Sequence, residues 1–176
     1  MTLQQMIPAY GPDGLEPVEK LAVHERGLRH PAISVFIMDG RWTLLQRRAL
    51  GKYHTPGLWA NACCTHPHWG EDVGVCAHRR LGEELGVSLD LTPRGQLEYR
   101  ADVGAGLVEH EEINMFTAEV DRTALTLAPN PDEVMDTRWV DLDALRAEIT
   151  ADPAAFTPWL RIYMTEHTPL IFGETA

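Results

Sequence analysis

The stretch NACCTHPH, Asn61 to His68, holds two thiols and two imidazoles within eight positions. Such groups ligate metals, attack as nucleophiles or move protons. Adjacent Cys63 and Cys64 are poorly placed to bridge each other. The chain has 3 cysteines, the third being Cys76, too few for a disulfide framework or a zinc ribbon. Side chains alternate along an extended segment, so Cys64 shares a face with His66 while Cys63 points away. Parity therefore selects Cys64 as the partner of His66. Cys63 and Cys76 read as small buried hydrophobes.

Three further groupings can do chemistry. In RRLGEELGV, Arg79–Val87, Arg80 and Glu84 lie four apart on one helical face. That pair suits a divalent cation and the diphosphate it neutralises, and it equally suits a solvated helix surface. In VEHEEINMF, Glu109 and Glu111 share one strand face, and His110 and Glu112 the other. The apolar Ile113, Met115 and Phe116 follow, which is not the pattern of a plain polar outer face. Two carboxylates on one face can bind a cation, or one of them can serve as a general acid or base. In VHERGLRHP, His24 and His30 precede an extended backbone set by Pro31. Each of these histidines alone reads as a surface residue, as do His54, His68, His78, His110 and His167.

The elements that must position these groups follow from periodicity. AISVFIM and WTLLQRR, joined at Asp39-Gly40, predict a hairpin, and LWANACC an extended segment after Pro56-Gly57. EDVGVCAHRRLGEELGV predicts a helix opened by acidic residues and ended at Gly86. Its apolar stripe is Val73, Ala77, Leu81 and Leu85. QLEYRADV, LVEHEEINMFTAEV and DTRWVDL predict strands, and LDALRAEI and FTPWLRIYM helices. The mixture predicts an α/β or α+β class around a mixed sheet. The first thirty residues, rich in Gly, Pro and charge, predict a lead-in segment to a single domain over 1–176.

A net charge of −11 argues against nucleic acid, whose phosphates call for basic surface. Lys20, Arg48, Lys52 and Arg80 nevertheless stand out, and basic residues flanking a Cys/His stretch point to a small anionic substrate. No apolar run is long enough to span a bilayer, and MTLQQMIPAY lacks a signal pattern. The expectation is a cytoplasmic monomer that touches neither membrane nor nucleic acid.

Taken together, these residues resemble a known family. RRLGEELGV is similar to the core of the Nudix box, R-E-U-x-E-E-x-G-U, with Arg80 where hydrolytic members keep a glutamate and Thr65 at the upstream glycine position. Those departures resemble the non-hydrolytic branch, type 1 isopentenyl-diphosphate isomerase. WANACCTHP resembles that branch's cysteine motif, W-x-N-x-x-C-x-H-P, and VEHE its glutamate motif. EYRA carries its tyrosine, Tyr99, and NPDEVMDTRWVDL and AFTPW resemble its C-terminal segments. The resemblance spans about Lys20 to Trp159.

It implies a Nudix-type α/β/α sandwich around a mixed β-sheet. It implies one metal, Mn²⁺, Mg²⁺ or Zn²⁺, held by His24, His30, His66, Glu109 and Glu111. HERGLRH is one residue shorter than the spacing expected for the first two of these. A second cation, Mg²⁺, would be held by the Glu84 carboxylate and the Cys64 carbonyl against the substrate diphosphate. Lys20, Arg48, Lys52 and Arg80 would bind that diphosphate, and the Trp159 ring face would stabilise a carbocation. The implied reaction moves a double bond by protonation and deprotonation, with Glu111 and Tyr99 as the acid side and Cys64 as the base. Two rivals are a Nudix diphosphohydrolase, which needs a more carboxylate-rich helix, and a catalytically silent metal-stabilised binding module.

Overall fold

The computed structural model describes residues 5–173 of the chain. The predicted lead-in is largely regular structure, though residues 1–4 lie outside the described part. β1 (Met6–Gly11) and β2 (Gly14–Glu19) form an antiparallel hairpin, followed directly by α1 (Lys20–Arg26). Glu19 caps α1 through its carboxylate, which accepts from Leu21 N and Ala22 N at 3.1 and 3.0 Å. Gly27 ends the helix in the left-handed conformation, φ 61°. Its N–H bonds to the His24 carbonyl, and the Leu28 N–H bonds to that of Val23. These bonds turn the chain sharply into the next strand.

That strand, β3 (Arg29–Asp39), is buried over nearly its whole length. Ile33, Val35 and Ile37 face one layer, and Ala32, Phe36 and Met38 the other. A strand covered on both faces reads as a continuous apolar run, as this one does. The hairpin with β4 (Trp42–Arg48) forms, but only Met38–Thr43 and Asp39–Trp42 pair across it. Beyond the turn the two strands splay. β5 (Trp59–Asn61) and β6 (Cys63–Thr65) fill the gap, β5 on β4 and β6 on β3.

α2 (Val73–Leu85) is capped by Asp72 and closed by Gly86, φ 68°. Its Ala77, Leu81 and Leu85 pack with Cys63 and Cys76 on one face of the sheet. β7 (Thr92–Gly104) and β8 (Leu107–Glu119) form a long hairpin, and β8 runs parallel to β3. β9 (Val134–Asp141) pairs with the outer edge of β4. The other face is covered by α3 (Leu142–Ala151), α4 (Pro158–Glu166) and α5 (Thr168–Phe172). The result is a mixed sheet between helical layers, the expected α/β/α sandwich. Among the described residues, no helix is long and apolar enough to cross a membrane.

Candidate active site

The gap between β3 and β4 puts the β5–β6 crossing at the centre of the site. Asn61, fully buried, donates from Nδ2 to the Val35 carbonyl at 2.9 Å and to Ser34 Oγ at 2.8 Å. Its carbonyl oxygen Oδ1 is thereby aimed at Cys64 Sγ, 3.0 Å away, and Ser34 Oγ lies 3.0 Å from the same sulfur. Parity acts as expected: Cys63 packs under α2, and Cys64 turns to the opposite layer. Burial, with the charge of Glu111 adding to it, pushes the Cys64 pKa well up against the Ser34 and Asn61 hydrogen bonds, so it rests as a thiol.

Behind the thiol stand three imidazoles from three elements, His24 of α1, His30 of β3 and His66 just after β6. Their ring centroids lie 4.8 to 5.1 Å apart. The short HERGLRH spacing works because the Gly27 turn doubles the chain back within it. His24 Nδ1 lies 2.6 Å from the Lys20 carbonyl, and His30 Nδ1 2.7 Å from that of Leu28. A carbonyl only accepts, so both Nδ1 atoms carry a proton, and in the neutral ring Nε2 is then a lone pair. These Nε2 atoms are buried and have no hydrogen-bond partner. Burial works to lower the His30 pKa, but Glu111 facing it raises it.

β8 supplies the carboxylates on the same side. Glu111 Oε1 lies 2.7 Å from His66 Nε2 and 3.5 Å from His30 Nε2. Glu109 Oε1 lies 4.0 Å from His24 Nε2. Tyr99 Oη, contributed by β7 directly opposite, lies 2.6 Å from Glu109 and 2.8 Å from Glu111. One phenolic proton can serve only one carboxylate at a time. Burial pushes the Tyr99 pKa well up and the His66 pKa well down. Burial also works to raise both glutamates, but the histidines facing them outweigh it and hold both below the usual range.

His24, His30, His66 and Glu111 each offer a donor atom within 4.8 Å of the others, and His24, His54 and Glu109 form a second such group. Buried carboxylates beside the unpartnered Nε2 atoms of His24 and His30 fit a divalent cation.

The basic residues gather at the same pocket, lined by Lys20, Arg48, Lys52 and Arg80 together with Cys64 and Trp159. Arg80 Nη2 donates to Glu84 Oε1 at 2.6 Å and lies 3.3 Å from Glu133. Glu133 also pairs with Lys52. Gln46 donates to the other Glu84 oxygen at 2.8 Å and to the Ala62 carbonyl at 2.7 Å. The Glu84 carboxylate, almost fully buried, is thus tied to the strand that leads into the cysteine motif. The Arg48 guanidinium sits over the buried Trp159 ring, 5.3 Å from its centroid.

Lys20, Arg48, Lys52, Cys64, His66, Arg80, Glu84, Glu109, Glu111 and Trp159 line one pocket, with His24, His30 and Tyr99 against its carboxylates and imidazoles, and the structure adds others. His54, expected at the surface, is buried, with Nε2 3.0 Å from Glu109 Oε1. Ser34, Gln46 and Glu133 were not apparent. Glu133 lies inside NPDEVMDTRWVDL, and Asn61 inside the cysteine motif, so motif membership pointed near both without assigning a role. By contrast, His110 and Glu112 face outward, bonded to Glu98 and to Arg29 and Tyr10.

Residues 28–160 match the family model described as the NUDIX domain, which defines the class. Solved structures share the fold. One is DR0079 from Deinococcus radiodurans, with TM-score 0.71 and 16% identity, covering 91% of this chain and 97% of that one. Another is a MutT NUDIX hydrolase from Burkholderia pseudomallei, with TM-score 0.61 and 22% identity, covering 80% and 98%. Relatives far closer in sequence carry one name, isopentenyl-diphosphate Delta-isomerase. The Rhodobacter capsulatus protein is 59% identical over 170 residues, 96% of each chain, and that of Dinoroseobacter shibae 55% over 175 residues, 99% of each. The chain belongs to this isomerase family within the Nudix-domain proteins.

Proposed function

We propose that the chain interconverts isopentenyl diphosphate and dimethylallyl diphosphate, supplying isoprenoid precursors. The carrying observation is a single pocket in which the Cys64 thiol and the Glu111 carboxylate both open beside Trp159, with four basic side chains around it. An unactivated alkene needs a proton delivered to C4 and another removed from C2. That requires two acid/base groups facing one small substrate, and a dry wall against capture of the cation by water. Glu111, with the Tyr99 phenol beside it, is assigned delivery to C4, and Cys64 removal from C2. The resting distribution, ionised Glu111 and protonated Cys64, is the one a forward turnover leaves behind. A proton must therefore return from thiol to carboxylate before the next forward cycle.

His24, His30, His66, Glu109 and Glu111 would hold one divalent cation, Mn²⁺, Mg²⁺ or Zn²⁺. Glu84 and the Cys64 carbonyl would hold Mg²⁺ at the diphosphate. When bound, these ions supply positive charge that tunes Glu111 and neutralises the diphosphate. Lys20, Arg48, Lys52 and Arg80 bind the remaining phosphate oxygens, and that remote binding energy positions the alkene. The site is built from elements of one chain, and we propose a monomer that works in the cytoplasm.

Incubation with isopentenyl diphosphate and Mg²⁺ should yield dimethylallyl diphosphate by NMR. Absence of conversion across Mg²⁺, Mn²⁺ and Zn²⁺ would sink the reading. In D₂O, Cys64→Ser should not isomerise but should place deuterium at C4. Absence of deuterium at C4 would overturn this assignment of the two roles.

A further inference from the structure

Four histidines surround the two carboxylates, and His54 differs from His24 and His30 in what its Nδ1 faces. His24 and His30 point Nδ1 at backbone carbonyls, which places a proton on Nδ1 and leaves Nε2 without one in the neutral ring. His54 points Nδ1 at a hydroxyl, Thr55 Oγ1, 2.9 Å away. A hydroxyl can donate, and a donated proton at Nδ1 leaves the hydrogen of a neutral imidazole on Nε2. That Nε2 lies 3.0 Å from Glu109 Oε1.

We propose that Thr55 and His54 form a relay that orients Glu109 for the metal centre, with His54 as a donor to the carboxylate and not itself a ligand. The proposal rests on the reading of the His/Glu cluster as a metal site. Glu109 Oε2 is held by Tyr99 Oη at 2.6 Å and Oε1 by His54, so the carboxylate plane is fixed from both ends. Oε1 then turns its free lone pair toward His24 Nε2, 4.0 Å away. Such outer hydrogen bonds orient ligating carboxylates and set their basicity.

The backbone bears the mark of this arrangement. Thr55 has φ 47°, in the left-handed region, although it is β-branched and precedes Pro56. Both features disfavour that conformation, and it persists only where the surroundings enforce it. Here the Arg48 guanidinium donates to the His54 carbonyl at 3.2 Å, and the His54 ring packs edge-on against Trp159 with centroids 5.9 Å apart. The strained residue is the one whose hydroxyl sets the histidine tautomer.

The test measures Mn²⁺ binding to the full chain by equilibrium dialysis, with folding checked by circular dichroism. Wild type should bind tightly and His66→Ala weakly; equal binding by the two would defeat the metal reading itself. Given that control, His54→Ala should lose about tenfold to a hundredfold in affinity. His54→Gln, whose amide Nε2 can replace the imidazole donor, should regain most of it. Thr55→Val should weaken binding in the wild-type background and change nothing in His54→Gln. Undiminished affinity in His54→Ala overturns the relay. Affinity in His54→Gln as low as in His54→Ala would make His54 a ligand and overturn it equally.

Discussion

The Cys64 thiol lies 3.0 Å from the carboxamide oxygen of Asn61, the residue that bridges the splayed strands β3 and β4. Asn61 can point that oxygen at the sulfur because its amide is spent on Ser34 and Val35. The same side chain therefore closes the gap in the sheet and sets the thiol rotamer.

Asn61→Ala should destabilise the fold by about 1–3 kcal/mol, since it strands the buried Val35 carbonyl. It should also lower kcat at least as much as Ser34→Ala does. Chemical denaturation and NMR turnover measure the two effects separately. Full activity with lowered stability alone would show that the thiol needs no such support.

Arg80→Glu rebuilds the glutamate of the hydrolytic box but sets it beside Glu83, Glu84 and Glu133. The expected result is loss of isomerisation and a stability loss of about 3–5 kcal/mol, as for removing one partner of a buried ion pair. No phosphate release should appear. Hydrolysis of a nucleoside diphosphate derivative by this variant would mean that Arg80 alone separates the two chemistries.

Lys20 is held down to about 8 by burial, then by the nearby Lys52 and Arg80, against the opposing charge of Glu133. It is charged below that pH and neutral above it. kcat/KM for the diphosphate should therefore fall as pH rises past 8, with the loss mainly in KM. Lys20→Arg should flatten that limb, because guanidinium stays charged. An unchanged alkaline limb in the arginine variant would assign it to another group.

Gly86 closes α2 at φ 68°, and a Cβ there would come within 2.7 Å of the Ala128 Cβ and 2.9 Å of its carbonyl oxygen. The helix end is bonded to this segment through Ala128 N to the Leu85 carbonyl and Asn130 N to that of Glu84. Gly86→Ala should cost about 1–3 kcal/mol from backbone strain alone, with more from the clash. Because Glu84 and Glu133 flank the junction, KM should rise as well. Thermal unfolding and steady-state kinetics would reveal either effect.

Periodicity and turn residues located the main strands and helices from Ala32 onward, because an apolar face leaves a period of two or of 3.6 in the chain. The long hairpin of β3 and β4 was only partly right: its turn is local, but its splaying depends on β5 and β6 arriving from elsewhere. The N-terminal thirty residues gave no clear period. Their hairpin is short, and most of β2 is exposed.

The sequence by itself determined which chemistry is available. Strand parity split Cys63 from Cys64 and paired Glu109 with Glu111, because alternation is a property of the backbone alone. Motif resemblance named the family. Tertiary structure decided which histidines meet. The Gly27 turn brings His24 to His30, and the loop after β4 carries His54 to Glu109, although nothing in the spacing of His54 announces it. It also decided that Glu133 lies between Lys52 and Arg80, 81 and 53 residues away in the chain. Such contacts arise from the packing of whole elements across the sheet, and no local periodicity encodes them.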